Sequence, residues 1–153
     1  MKKQNYRNLE GGQIDRENII SFTFNGQKLK GYEGDTLASA LIANGIHLTS
    51  RSFKYHRPRG IFSSGAEEPN AYLQISANNF EEPNVAAPLI EIFNGLDVKS
   101  SNCWPSVNFD LGAINNILSP IFIAGFYYKT FMYPRRMWPF YEKLIRKMAG
   151  VGT

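Results

Sequence analysis

Two β-strands joined by a tight turn are predicted near the start of the chain. Apolar and polar side chains alternate over residues 19–24, as they do in a strand with one buried face. Asn25-Gly26 follows at once, and this pair favours a type I′ hairpin because both central residues need positive φ. Residues 27–33 then return as a second, less apolar strand.

A helix is predicted directly after this hairpin. Asp35 is a good N-cap residue, because its carboxylate can accept from the free N–H groups of the first turn. Gly45 suits the left-handed position that ends many helices, and Ile46 is expected to fold back onto Leu41. The positions in between give the helix a wide apolar stripe formed by Leu37, Ala38, Ala40, Leu41 and Ile42.

The pattern beyond residue 70 predicts further strands around this helix. Residues 71–76 alternate again, residues 77–88 have the Asn and Pro content of a turn-rich connection, and residues 89–93 form a short apolar run typical of a strand. A second hairpin signal, Asn94-Gly95, precedes an extended piece that ends at Lys99. Strands on both sides of one capped helix favour an α+β architecture of the β-grasp kind.

The aromatic and proline content rises after Cys103, and the regular core pattern ends there. Short helices are predicted over residues 111–118 and 141–148. This many exposed rings would make a lone monomer prone to association. This part is therefore interpreted as an extended, partly helical arm that lies on another surface. The predicted organisation is a flexible arm (1–17), a β-grasp domain (18–100) and a docking arm (101–153).

Residues 51–70, between the helix and the third strand, fit neither a helical nor a strand period. Cations and rings alternate there with Pro and Gly, which indicates an ordered loop that contacts an anion or a partner. The candidate site residues in it are Arg51, Lys54, Tyr55, His56, Arg57 and Arg59. Phosphate, stacked nucleic-acid bases and a protein interface are all open as its target. The alternative without a partner is a structural one, in which the rings pack to hold the loop in place and the cations keep it soluble.

Composition narrows the classes of function. The 153 residues carry a net charge of +4 and a single cysteine, so no internal disulfide can form and a reducing, cytoplasmic compartment is expected. Two histidines and one thiol show no zinc-ligand spacing, and no apolar segment is long enough to span a bilayer. No catalytic residue is predicted. The Ser-Ser-Gly at 63–65 lacks the context of a nucleophile elbow, and the Glu pair at 67–68 is expected to be solvated or paired with nearby arginines.

Three motifs resemble the N-terminal portion of the alpha subunit of heterotetrameric sarcosine oxidase. They are R-S-F-K-Y-H-R-P-R-G at 51–60, E-E-P-N-A at 67–71 and A-G-F-Y-Y-K-T-F-M at 124–132, and the likeness extends over about residues 12–150. The third motif adds three candidate site residues, Tyr127, Tyr128 and Lys129.

The resemblance implies a [2Fe–2S] ferredoxin-like β-grasp domain that has lost its cluster. Residues 63–66 stand where related amine and amino-acid dehydrogenase subunits keep cysteines. A [2Fe–2S] cluster takes four thiolates, or two thiolates and two histidines, so a chain with one cysteine cannot build the usual ligand set. Electron transfer through iron is therefore not expected.

The resemblance also implies a part in a flavoenzyme complex. Such complexes oxidise sarcosine to glycine, pass the methyl carbon to tetrahydrofolate or release formaldehyde, and reduce oxygen to peroxide. The resemblance implies that FAD, FMN and NAD are cofactors of the complex and that this chain alone binds none of them. The implied partners are the flavin-bearing beta subunit and the remainder of the alpha subunit. The chain stops at Thr153, where a dinucleotide-binding domain should begin, so it is expected to be a fragment, a split subunit or a truncated reading frame.

Two functions are therefore weighed. The first is a non-catalytic structural and interface part of a sarcosine oxidase alpha subunit. The alternative is a stand-alone basic module that binds single-stranded nucleic acid through residues 51–59, which the mild net charge permits without requiring it.

Overall fold

The structure, a computed structural model, describes residues 4–78, 80–121 and 134–149. In these ranges the strands are β1 (Asp15–Phe24), β2 (Gln27–Glu33), β3 (Ser50–Arg51), β4 (Pro58–Arg59), β5 (Tyr72–Ala77), β6 (Phe80–Ala86) and β7 (Asp97–Ser100). The α-helices are α1 (Leu37–Ala43), α2 (Ile114–Ile117) and α3 (Trp138–Ala149). Short 3₁₀ turns lie at Ala87–Leu89, Leu111–Ala113, Ser119–Ile121 and Arg135–Met137.

Five strands form one mixed sheet in the order β2-β1-β7-β5-β6. The β1–β7 pair is parallel and the other pairs are antiparallel. One helix, α1, packs on this sheet and supplies Leu37 and Leu41 to a core in which both are fully buried. The predicted β-grasp fold is therefore confirmed.

The predicted hairpin forms because its turn residues accept positive φ. Asn25 and Gly26 have φ of 50° and 79°, which fits a type I′ turn between β1 and β2. β1 begins at Asp15 rather than Ile19, with a register shift between these two residues, so the strand is longer than its alternating part.

Helix α1 ends as predicted but begins differently. Gly45 has φ of 78°, and the N–H of Ile46 donates to the carbonyl of Leu41 at 2.9 Å, which is the Schellman pattern. At the other end the N-cap is Thr36, whose hydroxyl accepts from the N–H of Ser39. The prediction that Asp35 caps the helix is wrong, because its carboxylate turns towards the N-terminal segment.

Asp35 is buried and pairs with Arg7. The guanidinium donates to both carboxylate oxygens at 2.9 and 2.6 Å, while the Tyr32 N–H and the Ser39 hydroxyl donate at 2.9 and 2.8 Å. Burial alone would raise the pKa of Asp35, but the bonds from Arg7, Tyr32 and Ser39 outweigh it and hold the pKa below its ordinary value. The pair joins residues 28 positions apart and fixes the N-terminal segment beside α1.

The predicted strand over 89–93 and the predicted loop over 77–88 are both wrong. Strand β6 occupies Phe80–Ala86, and Pro83 is tolerated there because β6 lies at the edge of the sheet. Residues 90–92 are extended but pair with the start of α1: the Leu37 N–H donates to Ile90 O, and the Ile92 N–H donates to Asp35 O.

Beyond residue 100 the chain is less regular. The helix predicted over 111–118 is a 3₁₀ turn followed by the four-residue α2, and the helix predicted over 141–148 is present as the longer α3. Tyr127, Tyr128 and Lys129 lie outside the described residues. None of the helices in the described ranges has the length and apolar content that crossing a bilayer requires.

Replacing Arg7 by Met should destabilise the fold by about 2–4 kcal/mol, because the buried Asp35 would lose its charged partner. The free energy of unfolding, measured by urea titration, tests this. Lys28→Met, at an exposed position of β2, is the matched control and should change it by less than about 0.5 kcal/mol. Equal effects of the two substitutions would contradict the role given to the Arg7–Asp35 pair.

Candidate functional site

The basic loop, residues 51–59, is a short hairpin. Ser50 and Arg51 of β3 pair antiparallel with Arg59 and Pro58 of β4. Within the turn the N–H of Ser52 donates to the carbonyl of Arg57 at 2.9 Å. The loop is therefore ordered by its own backbone, and its side chains have fixed directions.

Asp110 lies at the centre of the contacts that this loop makes. His56 Nδ1 is 2.7 Å from Asp110 Oδ2, and Arg51 Nε is 3.7 Å from the same oxygen. The other oxygen, Oδ1, accepts from the N–H groups of Trp104 at 2.9 Å and Gly112 at 3.2 Å. The Asp110 side chain is fully buried, so these donors replace its water shell.

The electrostatics of this cluster fix its protonation. Burial alone would raise the pKa of Asp110, but the donors at Trp104, His56 and Gly112 outweigh it and hold the pKa below its ordinary value. Asp110 is then a carboxylate, which only accepts, so His56 Nδ1 carries the proton between them. A Cβ at Gly112 would overlap the His56 ring, so only glycine lets the two segments approach this closely.

Arg51 joins the loop to the following segment through several bonds. Its Nε donates to the Val107 carbonyl at 2.8 Å, and its Nη1 donates to the His56 carbonyl at 2.9 Å. Its own carbonyl accepts from the Asn102 side chain at 3.1 Å. The guanidinium is thus held inside the chain rather than directed at solvent.

The other cations of the loop are also partnered within the chain. Arg57 lies 4.7 Å from the centre of the Tyr55 ring and Lys54 lies 4.9 Å from it, which are cation–π distances. Arg57 Nε donates to Asn116 of α2 at 2.9 Å. Arg59 donates to the Asn70 side chain at 2.9 Å. The structure therefore brings together the predicted residues at 51–59. Arg51, His56 and Arg57 bind the segment 101–118 to the domain, whereas Arg59 binds the loop at 60–71.

This arrangement leaves large apolar side chains of that segment in solvent. Trp104 is 68% exposed and Ile117 is 77% exposed. We call the exposed apolar residues of this segment the apolar patch: Trp104, Phe109, Leu111, Ile114, Ile117 and Leu118. A segment held in place by a buried carboxylate while it exposes its large side chains is suited to contact with another surface.

Glu68 is the site residue that sequence reasoning missed. The prediction that it is solvated or paired with an arginine is wrong, since it is 1% exposed and accepts four backbone N–H bonds. Burial alone would raise its pKa, but the N–H groups of Ser63, Asn70, Ala71 and Phe62 outweigh it and lower the pKa. The sequence carries no direct signal for this role, because the partners of Glu68 are backbone N–H groups, and the path of the loop decides which of them point inward.

The surroundings of Cys103 disfavour the thiolate form of its side chain. It is half-buried, and its pKa is raised by burial and by the nearby Asp110 carboxylate. Within the described ranges, no group of three or more His, Cys, Asp or Glu side chains is placed to hold a metal ion.

Comparison with known protein families now adds to this geometry. The sequence model for "2Fe-2S iron-sulfur cluster binding domain" matches residues 17–103, more than half of the chain. The chain belongs to this family. The match covers the sheet, α1 and the basic loop and ends at Cys103.

The alpha subunits of sarcosine oxidases are similar over longer or comparable stretches. The chain is 53% identical to that of Rhizobium meliloti (strain 1021) over 148 residues, which is 96% of this chain and 15% of the relative. It is 39% identical to that of Corynebacterium sp. (strain U-96) over 90 residues, covering 57% of this chain and 9% of the relative. The resemblance predicted from the three motifs is confirmed.

The chain spans less than a sixth of the length of these relatives. Among solved structures, L-proline dehydrogenase from P. horikoshii is similar, at 26% identity and a TM-score of 0.45, over 60% of this chain and 17% of that one.

Asp110→Asn should lower the free energy of unfolding at pH 7 by about 1–3 kcal/mol. The NH₂ group of the asparagine cannot accept, so at least one N–H group that now donates to Asp110 would lose its acceptor. Since the folded pKa of Asp110 is lowered, its contribution is present above the unfolded value of about 3.9 and is lost as the pH falls through the folded pKa. The difference in free energy of unfolding between wild type and variant should therefore shrink as the pH is lowered from about 5 to an acid limit of about 2.

Urea titrations across this pH range measure the difference. Glu33→Gln, at an exposed position of β2, serves as the control and should differ little from wild type at neutral pH. An Asp110→Asn difference that stays constant down to the acid limit would refute the assignment of this carboxylate.

Proposed function

We propose that the chain is a non-catalytic interface part of the alpha subunit of a sarcosine oxidase-like complex. The observation that carries the proposal is the apolar patch, which the basic loop holds in place through Arg51, His56 and Asp110. The similarity to sarcosine oxidase alpha subunits supports it from the side of sequence.

The length of the relatives supports the proposed partners. Because the chain corresponds to 15% of the Rhizobium meliloti subunit, a large surface of such a subunit lies outside the aligned region. The patch consists of aliphatic and aromatic side chains with few charges among them, which is the composition of an interface core. The remainder of the alpha subunit and a flavin-bearing beta subunit are the proposed occupants.

The chemistry is assigned to the complex and not to this chain. The oxidative demethylation of sarcosine, with tetrahydrofolate as acceptor and oxygen reduced to peroxide, would take place on the partners, with FAD, FMN and NAD bound there. The proposed contribution of the basic loop is to orient the patch. Arg51, Lys54, Tyr55, His56, Arg57 and Arg59 are positioning residues in this proposal.

Binding of single-stranded nucleic acid is less well supported by the geometry. Such binding needs cations that reach phosphates and rings that stack on bases. Arg51, Arg57 and Arg59 donate to acceptors of the chain itself, and the Tyr55 ring is covered by Lys54 and Arg57. A nucleic acid would have to displace these contacts.

Substituting the patch should weaken assembly without unfolding the domain. In the chain co-expressed with the beta subunit and the rest of the alpha subunit, Trp104→Ser and Ile117→Ser together should weaken association at least about tenfold, because buried interface anchors contribute about 2 kcal/mol each. Phe80→Ser, an exposed aromatic of β6 outside the patch, is the matched control. Affinity capture followed by sedimentation of the complex measures the effect.

Retained assembly in the patch variant would refute this interface. Circular dichroism and thermal melting of each variant separate loss of binding from loss of fold. A gel-shift titration with single-stranded DNA tests the other function, and we expect no salt-dependent shift at micromolar concentrations of the chain.

A further inference from the structure

The loop at residues 60–71 carries the ligand spacing of a [2Fe–2S] site without its thiols. Plant-type ferredoxins hold their cluster with C-x₄-C-x₂-C and a fourth, distant cysteine. Within the part of the chain that matches the cluster-binding family, we assign these ligand positions to Ser63, Glu68 and Ala71, because in this register the N–H groups of the two outer positions converge on the side chain of the middle one. The three ligand positions therefore present a hydroxyl, a carboxylate and a methyl group.

The Glu68 carboxylate lies among the backbone groups of these positions. One oxygen, Oε2, accepts from the N–H groups of Phe62 and Ser63, both at 2.7 Å. The other, Oε1, accepts from Asn70 at 2.7 Å and Ala71 at 3.0 Å. Ala71 is fully buried. Both outer ligand positions thus direct their N–H groups at the carboxylate of the middle one.

The Ser63 hydroxyl adds a further sign of a changed site. Its oxygen is buried and has no hydrogen-bond partner within the described ranges. A buried polar atom without a partner is rare in proteins, and one that stands at a ligand position fits a site whose original occupant is gone.

We infer that the Glu68 carboxylate has replaced the iron–sulfur cluster as the anion around which this loop is ordered. An iron–sulfur cluster is negatively charged and accepts hydrogen bonds at its sulfurs. Without a cluster, N–H groups converging on this point would be buried with no acceptor, at a cost for each. A carboxylate supplies four acceptor sites and a negative charge, so the loop keeps its shape.

The residues of the site do not fit the cluster that the family is named for. A hydroxyl, a methyl group and a carboxylate already bound by four N–H groups leave no thiolate at the three positions, and Cys103 is the single thiol of the whole sequence. This inference rests on the loop alone and does not depend on the proposed interface.

Anaerobic incubation of the full chain with ferrous iron and sulfide tests the first half of the inference. We expect less than about 0.1 iron atom per chain after desalting and no charge-transfer absorption in the visible range, because the thiolate ligands are missing. Stoichiometric iron with a cluster spectrum would overturn the inference.

Glu68→Gln tests the second half, with the adjacent, exposed Glu67→Gln as its matched control. The glutamine side chain is isosteric, but its NH₂ group cannot accept, so two of the four N–H groups lose their acceptor. We expect amide hydrogen exchange at 62, 63, 70 and 71 to accelerate at least about tenfold, and Tm to fall by about 5 °C or more.

Glu67→Gln should leave both quantities at the wild-type values. Amides of β1 and β2 provide an internal reference, since loosening confined to the loop leaves them slow in exchange. If the four loop amides exchange equally fast in wild type and Glu68→Gln, the carboxylate does not order the loop and the inference is overturned.

Discussion

A buried carboxylate is stable only when its oxygens receive hydrogen bonds that replace water, and this constraint acts at three places in the part of the chain that the structure describes. Asp35 joins α1 to the N-terminal segment through Arg7, and Glu68 orders its own loop. Asp110 joins the basic loop to the segment that follows β7. All three lie outside the strands, because Asp35 follows β2, Glu68 precedes β5 and Asp110 follows β7. Charge-assisted hydrogen bonds therefore order irregular segments on both sides of the sheet strands.

The need for such polar contacts explains why the basic loop has so many cations in a chain of modest net charge. Arg51 and His56 face Asp110, while Arg57 and Arg59 donate to asparagine side chains from two different segments. In the described part of the chain, the apolar core of the sheet includes no residue of the basic loop and none of residues 101–118. Polar contacts therefore hold residues 101–118 against the domain, while the apolar patch of this segment faces outward.

Local patterns predicted the parts of the fold that depend on neighbouring residues. The hairpin at Asn25-Gly26 and the end of α1 at Gly45 follow from the conformations that single residues accept. Strand β6 was missed because Pro83 argues against a strand unless its edge position is known.

The candidate site was predicted only in part, for a similar reason. The loop cations stand out in the sequence, but Asp110, which Arg51 and His56 face, is 54 positions away from His56. Glu68 was misread because its partners are backbone N–H groups, which have no signature in a sequence. Convergence of such groups depends on the path of the loop and becomes visible only in three dimensions.

The parallel pairing of β1 with β7 has a consequence for biosynthesis. Thr23 contacts Asp97 across 74 positions, and β7 lies between β1 and β5 in the sheet. The first hairpin and α1 can form from local contacts while the ribosome is still adding residues, but the sheet stays divided until β7 has emerged. The edge of β1 that pairs with β7 therefore stays open for the time needed to synthesise some seventy residues, and an unpaired strand edge during synthesis promotes aggregation.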